Sequence, residues 1–186
     1  FDDIRDQPKA GFDTARNSLE KAGAQIIDAE IPEVSEALAL SGILFATEAY
    51  AQWQAEIEAN PEAMFPEILN RFRSGKDTLA RDFLAAWAKL ESIQKVWAEK
   101  TAGFDAVILP TSPILPPNLE RLMTDSEYYV TENLLALRNT RIGNLMGVAG
   151  LTLPTGIPSA GIMFLSAPHS EERLLRLGAA AEAALG

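Results

Sequence analysis

Three residues, Thr140, Asn144 and Gly147, are spaced so that on a helix they share one face. Nearby positions such as Ile142 and Leu145 are apolar. A small polar stripe of this kind has two interpretations. It permits close packing against a neighbouring backbone, with the Thr and Asn side chains bonding locally. Alternatively, it forms the polar wall of a ligand pocket.

A pair of hydroxyl side chains, Thr111 and Ser112, follows an apolar run predicted as a strand over residues 105–109. The run has no polar alternation, which is typical of a strand covered on both faces in the middle of an α/β sheet. Loops leaving the carboxyl ends of central strands often bind ligands in such proteins. Thr111 and Ser112 are therefore candidates to line a pocket, with the alternative that they satisfy the backbone of a turn.

Other residues that could carry out chemistry have simpler explanations. His169 is the only histidine and lies in a Pro-His-Ser turn, where an exposed turn residue is expected. Ser74 and Lys76 flank a glycine that is expected to end a helix. The chain has no cysteine and no Gly-x-Ser-x-Gly turn. We therefore assign no catalytic residue, no metal site and no cofactor.

Three blocks in the second half of the chain resemble the amidase signature family. The first corresponds to the family's Thr-x-x-x-Asn-x-x-Gly pattern and the Pro and Gly that follow it. Ala149 departs from that pattern, because the family commonly has Pro there. The matching positions of this block are Thr140, Asn144, Gly147, Pro154 and Gly156. The second block is Phe104–Pro113, similar to a family strand that ends in Pro-Thr-x-Pro, and the third is the strand-like Gly161–Leu165.

The resemblance implies the C-terminal half of an amidase, an enzyme that hydrolyses a carboxylic amide to an acid and ammonia or an amine. Family members act through a Ser, a cis-Ser and a Lys, and both serines lie in a Gly-Ser-Ser-Gly-rich loop of the N-terminal half. This chain contains neither a Gly-Gly nor a Ser-Ser pair. We therefore expect the chain to be inactive alone, with a small-molecule amide as the substrate of the full-length enzyme.

By the same resemblance, Thr140 and Asn144 have a supporting or pocket-lining role. Arg138 is the basic residue to test for substrate contact, although it could equally pair with a surface carboxylate. Family members that release ammonia from glutamine for transfer to tRNA usually have an acid three residues before the matched Thr. This position is Leu137, which cannot bind an α-ammonium group, so the sequence favours a general amidase for less polar amides.

Two alternatives stay open. The chain could be a stand-alone, non-catalytic binding or oligomerisation module derived from the amidase fold. It could also be a complete small hydrolase that uses His169. A truncated α/β unit exposes strand edges and apolar surface, so we also expect self-association, for example as a homodimer.

The predicted fold is α/β, contributing part of the family's mixed β-sheet with helices on both faces. We expect a single unit over residues 1–186. Residues 1–103 are predicted to be mainly helical with one strand at 24–31, and residues 104–186 to combine strands with flanking helices. Helices are predicted at 8–22 and 33–59, after Asn60-Pro61, from Asp77 to about Gly103, from Thr124, over 137–146 and after Ser170.

The composition of the chain limits the classes of binding partner that are expected. The formal net charge of −10 argues against nucleic acid and anionic membranes, which require clustered Lys and Arg. No apolar run approaches the roughly 18–20 residues that cross a bilayer. No secretion signal opens the sequence, so a cytoplasmic location is expected. A start at Phe1 without Met is consistent with a chain cut from a longer one.

Overall fold

One strand, β3 (Gly161–Ser166), forms the centre of a three-stranded sheet in the computed structural model, which describes residues 2–186. Strand β1 (Val107–Pro110) pairs with one of its edges and β2 (Ala149–Pro154) with the other. Both pairings are antiparallel, and Phe164 lies opposite Ile108 on one side and Leu151 on the other. The sheet order is therefore β1-β3-β2.

Alternation along β3 sends its side chains to two helical layers. Ile162 and Phe164 join a buried cluster with residues of α1 (Asp6–Lys21) and α8 (Glu171–Leu185). On the other face, Leu165 lies against Gly143 of α7 (Arg138–Met146), where an added Cβ would lie 3.1 Å from Leu165 Cδ2. Helices thus cover both faces, and the predicted α/β class is confirmed. Each outer strand runs antiparallel to β3.

The remaining helices precede β1 or lie between β1 and α7. They are α2 (Glu33–Ala59), α3 (Pro66–Arg73), α4 (Ala80–Thr101), α5 (Leu119–Thr124) and α6 (Ser126–Ala136). A single 3-10 turn (Pro61–Ala63) lies between α2 and α3.

The described chain divides into two compact units. The first comprises the residues up to Ile31 together with Trp97–Gly186, and it contains the whole sheet. The second, Pro32–Val96, is helical, with buried residues such as Leu44, Tyr50 and Leu90. Two compact units can still fold as one cooperative domain, so the single unit expected from the sequence stays a prediction.

The predicted strand at residues 24–31 is wrong. Helix α1 ends as expected, with Gly23 at a positive φ of 101°. The following segment pairs with no strand among the described residues, and Ile27 is 65% exposed. The segment contains Ile26, Ile27 and Ile31, of which Ile26 packs beside the sheet core. An apolar run without a neighbouring strand has no partner for its backbone hydrogen bonds, so it remains irregular.

The position of β1 also differs from expectation. The apolar run does form a strand, but β1 lies at an edge of this sheet and β3 occupies its middle. Pro110 suits an edge position, because it has no N–H to donate to a further strand. Hydrophobicity identified a buried strand correctly without identifying its place in the sheet order.

Several helices begin at residues other than those predicted from the sequence. A helix was predicted from Thr124, but α6 begins at Ser126 and Asp125 caps it, accepting a hydrogen bond of 2.9 Å from the Tyr128 N–H. This backbone bond, with Arg121 nearby, lowers the pKa of Asp125. The short helix α5 was not predicted, and Asn118 caps it by accepting from Arg121 N at 2.9 Å.

Replacing Ile162 with Ala tests the central role of β3. Ile162 is fully buried, so we expect Ile162→Ala to lower the free energy of unfolding by about 2 to 5 kcal/mol. The matched control, Ile27→Ala, removes the same atoms from an exposed side chain and should change stability by less than about 0.5 kcal/mol. Urea unfolding of the two variants measures both values. Equal losses would contradict the assignment of β3 as the centre of the core.

Candidate functional site

A buried hydrogen bond joins the start of α7 to the end of β1. Asn139 is 6% exposed, and its side-chain Nδ2 donates to the Pro110 carbonyl at 2.7 Å. Pro110 is the last residue of β1, so this carbonyl lies where the chain leaves the sheet. The bond brings the start of α7 beside the Thr111–Ser112 segment.

Arg138 is connected to the same point. Its Nε donates to Asn139 Oδ1 at 3.2 Å, so one amide group bridges the guanidinium and the strand end. The Arg138 side chain is half-buried. Arg138 is therefore linked to Pro110, the residue before the candidate Thr111, through an asparagine that the sequence analysis did not select.

Thr111 continues the antiparallel pairing beyond β1. Its N–H donates to the Gly161 carbonyl at 2.9 Å, and its Oγ1 donates to Thr152 Oγ1 of β2 at 3.3 Å. Gly161 lies directly beneath this pair, and an added Cβ would come within 2.8 Å of Thr111 Oγ1. The two hydroxyls thus line the sheet end above a position that requires a glycine.

Of the other three candidates, two bond to nearby backbone and one is exposed. The Ser112 hydroxyl donates to the Ile114 carbonyl at 3.1 Å and accepts from the Ile114 N–H at 3.3 Å, as in a turn. The Thr140 hydroxyl donates to the Leu137 carbonyl at 3.1 Å. Asn144 is exposed on α7. These bonds stabilise the backbone, and substrate contact by the five candidates stays a prediction.

The loop after β1 is anchored again further along. The Arg5 N–H donates to the Pro113 carbonyl at 2.9 Å, and the Arg5 guanidinium bonds Oε1 of Glu132 on α6. The Glu132 side chain is 3% exposed, and this bond raises the pKa of Arg5. Its other oxygen, Oε2, has no hydrogen-bond partner among residues 2–186. Pro113 and Ile114 are themselves fully buried, so the loop is held at several points.

An open depression of about 530 Å³ lies beside the same sheet end, at the turn between β2 and β3. It includes Thr152 and Gly161, so it adjoins the Thr111–Thr152 hydroxyl pair. Sequence reasoning missed Asn139 and Thr152. The signal for Asn139 was its spacing from Gly143 and Met146, which places all three on the buried face of α7.

Other chemistry considered from the sequence receives no support in the described part of the chain. His169 is exposed in a turn at a φ of 58°, as expected. The Ser74 hydroxyl donates to the Arg71 carbonyl just after α3 ends. No group of three or more His, Asp or Glu side chains within residues 2–186 could hold a metal ion. Among the same residues, no helix combines the length and hydropathy needed to cross a bilayer.

The buried amide of Asn139 can be tested against an exposed one on the same helix. Asn139→Ala leaves the Pro110 carbonyl buried without its donor, so we expect the free energy of unfolding to fall by about 1 to 3 kcal/mol. Asn144→Ala removes an exposed side chain and should cost less than about 0.5 kcal/mol. Denaturant unfolding provides both numbers. A similar cost for the two variants would show that the Asn139 bond does not anchor α7.

Comparisons with known proteins match this chain to one family. The model of the family described as Amidase matches residues 2–175. The 2-amino-5-chloromuconic acid deaminase of Comamonas testosteroni is 30% identical over 192 residues, which cover 100% of this chain and 41% of that protein. An amidase of Pseudomonas putida is 26% identical over 189 residues, covering 99% of this chain and 41% of the relative.

A solved structure gives the same fold. Allophanate hydrolase of Kluyveromyces lactis superposes with a TM-score of 0.84 at 20% identity, covering 97% of this chain and 30% of that protein. The chain therefore spans less than half the length of these relatives, 41% in the case of the Comamonas testosteroni deaminase. Because the family model matches nearly the whole described sequence, the chain belongs to the amidase family.

Proposed function

We propose that this chain is the C-terminal part of an amidase that hydrolyses a carboxylic amide to an acid and ammonia or an amine. The observation that carries the proposal is the family match over residues 2–175, in a chain that spans 41% of a relative's length. In this account the Ser, cis-Ser and Lys come from the remainder of a longer protein. This chain supplies strands of the sheet and one wall of the substrate pocket.

The two faces of α7 support a pocket-wall role. Asn139, Gly143 and Met146 form the buried face and hold the helix on the sheet. The signature residues Thr140 and Asn144 are half-buried and exposed, respectively. A helix held rigidly by one face can present the other to substrate or to the catalytic segment without losing its position.

Exposed apolar residues support a larger assembly. On α6 and just after it, Val130, Leu134 and Leu137 repeat at helical spacing, and on α5 Leu119 and Met123 do the same. All five are at least 41% exposed, and α5 packs on α6. We call these five residues the apolar stripe. The occupant we propose for it is the remainder of the longer amidase, because the relatives are more than twice as long as this chain.

The names of two relatives are compatible with the release of nitrogen from the substrate. The Comamonas testosteroni relative is named as a deaminase of 2-amino-5-chloromuconic acid, and the Pseudomonas putida relative as an amidase. We therefore expect the full-length protein that contains this chain to release ammonia when primary amides are supplied.

Amide hydrolysis tests the proposal directly. We expect the full-length protein to release ammonia from a panel of primary amides, and this chain alone to release none above a heat-denatured control. A coupled ammonia assay measures both. Serine-dependent turnover by this chain alone would contradict the proposal that the catalytic residues lie in the remainder of the protein. A full-length protein that is inactive on every amide would contradict the proposed reaction.

The apolar stripe gives an independent test of the proposal, because it stays uncovered when the chain is purified without the remainder of the amidase. Burial of apolar surface drives association, so the isolated chain should elute above its monomer mass in size-exclusion chromatography with light scattering. Leu119→Ser with Leu134→Ser should shift it toward the monomer. The control, Leu84→Ser with Leu175→Ser, changes two leucines that are also exposed, by 65% and 63%, but lie outside the stripe. A clean monomer for the unmodified chain would contradict the expectation.

A further inference from the structure

Arg138 differs from the other arginines in its partners. Most arginines of this acidic chain form ion pairs with Asp or Glu: Arg5, Arg16, Arg73, Arg81, Arg121, Arg173 and Arg176. Within residues 2–186, the guanidinium of Arg138 lies at ion-pair distance from no carboxylate, and its one side-chain hydrogen bond goes to the Asn139 amide oxygen. A half-buried arginine thus has no negative partner within residues 2–186, although the chain carries a net charge of −10.

The hydrogen bond to Asn139 determines which N–H donors of the Arg138 guanidinium remain available to a ligand. A guanidinium has five N–H groups, and Arg138 uses the one on Nε. The Nη1 and Nη2 groups at the end of the side chain retain their four N–H donors. Two parallel N–H bonds from such an end match the two oxygens of a carboxylate, which is the arrangement that favours Arg over Lys.

The direction of the side chain is set by a buried bond. Asn139 is held on the Pro110 carbonyl at 2.7 Å, so the Arg138 guanidinium is tied to the end of β1 beside Thr111. Partial burial makes an unpaired charge costly and makes its neutralisation by a bound anion correspondingly favourable. A ligand anion therefore fits at a position where residues 2–186 supply no carboxylate.

We propose that Arg138 is a specificity residue that binds a carboxylate of the substrate, and that the substrate is an amide that also carries a carboxylate. The inference rests on the proposed amidase function and refines its substrate class. Leu137, one residue earlier, offers no acid to an ammonium group. The proposed substrate class is therefore an anionic amide without an α-ammonium, such as the monoamide of a dicarboxylic acid, in place of the less polar amides that Leu137 alone favoured.

Kinetics of the full-length protein test the inference. The substrates are the monoamide of a dicarboxylic acid and a matched amide in which a methyl group replaces the carboxylate. Arg138→Gln removes a charge-assisted bond, so KM for the anionic amide should rise about 10- to 100-fold. Its kcat and both constants for the neutral amide should change less than about threefold. Arg138→Lys should recover part of the loss, because it restores charge without the planar fork.

A matched control and a binding measurement separate the alternatives. Arg176→Gln removes an arginine from an exposed ion pair on α8 and should leave the kinetics of both amides unchanged. Calorimetric titration of the full-length protein with the dicarboxylic acid itself requires no turnover, and it should show binding that Arg138→Gln abolishes. Absence of that binding, or an equal loss for anionic and neutral amides, would overturn the inference. Hydrolysis of no amide at all, with binding of the acid intact, would instead overturn the proposed reaction.

Discussion

The hydrogen bond from Asn139 to the Pro110 carbonyl is the contact on which the candidate site depends. The bond is buried, and it joins a helix residue to a strand residue 29 positions earlier in the sequence. Because Pro110 ends an edge strand, its carbonyl has no further strand to accept from, and the amide of Asn139 satisfies it. The same amide holds Arg138 through its oxygen. One side chain thus places a cation and a strand end together.

The sheet explains why this contact can be rigid. β3 is buried on both faces, with α1 and α8 packed on one side and Gly143 of α7 against Leu165 on the other. The loop after β1 is held in addition by the Arg5 backbone and by two fully buried residues, Pro113 and Ile114. A loop fixed at both ends can position side chains for recognition at little entropic cost on binding.

Much of this arrangement follows from the sequence. Helix α2 was predicted with the bounds that the structure has, and all three strands of the sheet were located, because apolar periodicity and Gly or Pro at the ends define such elements locally. The strand at 24–31 failed, since a strand exists only if a neighbour pairs with it, and that is a property of the tertiary fold. The edge position of β1 escaped prediction for the same reason.

The candidate site was predictable in part. Arg138 and Thr111 were selected from the sequence and lie at the strand end, whereas Ser112 and Thr140 bond to nearby backbone. Asn139 was missed because an Asn within a helix usually lies at the surface, and only the tertiary structure shows the carbonyl it satisfies. The absence of a carboxylate beside Arg138 is likewise invisible in a sequence with 26 acidic residues.

The most direct measurement is a crystal structure of the full-length protein, with its nucleophilic serine replaced by alanine, bound to the monoamide of a dicarboxylic acid. The account predicts the carboxylate within hydrogen-bond distance of both Nη atoms of Arg138, and the amide carbon beside the replaced serine. A bound amide whose carboxylate lies away from α7, with Arg138 paired to a carboxylate of the protein, would contradict the account.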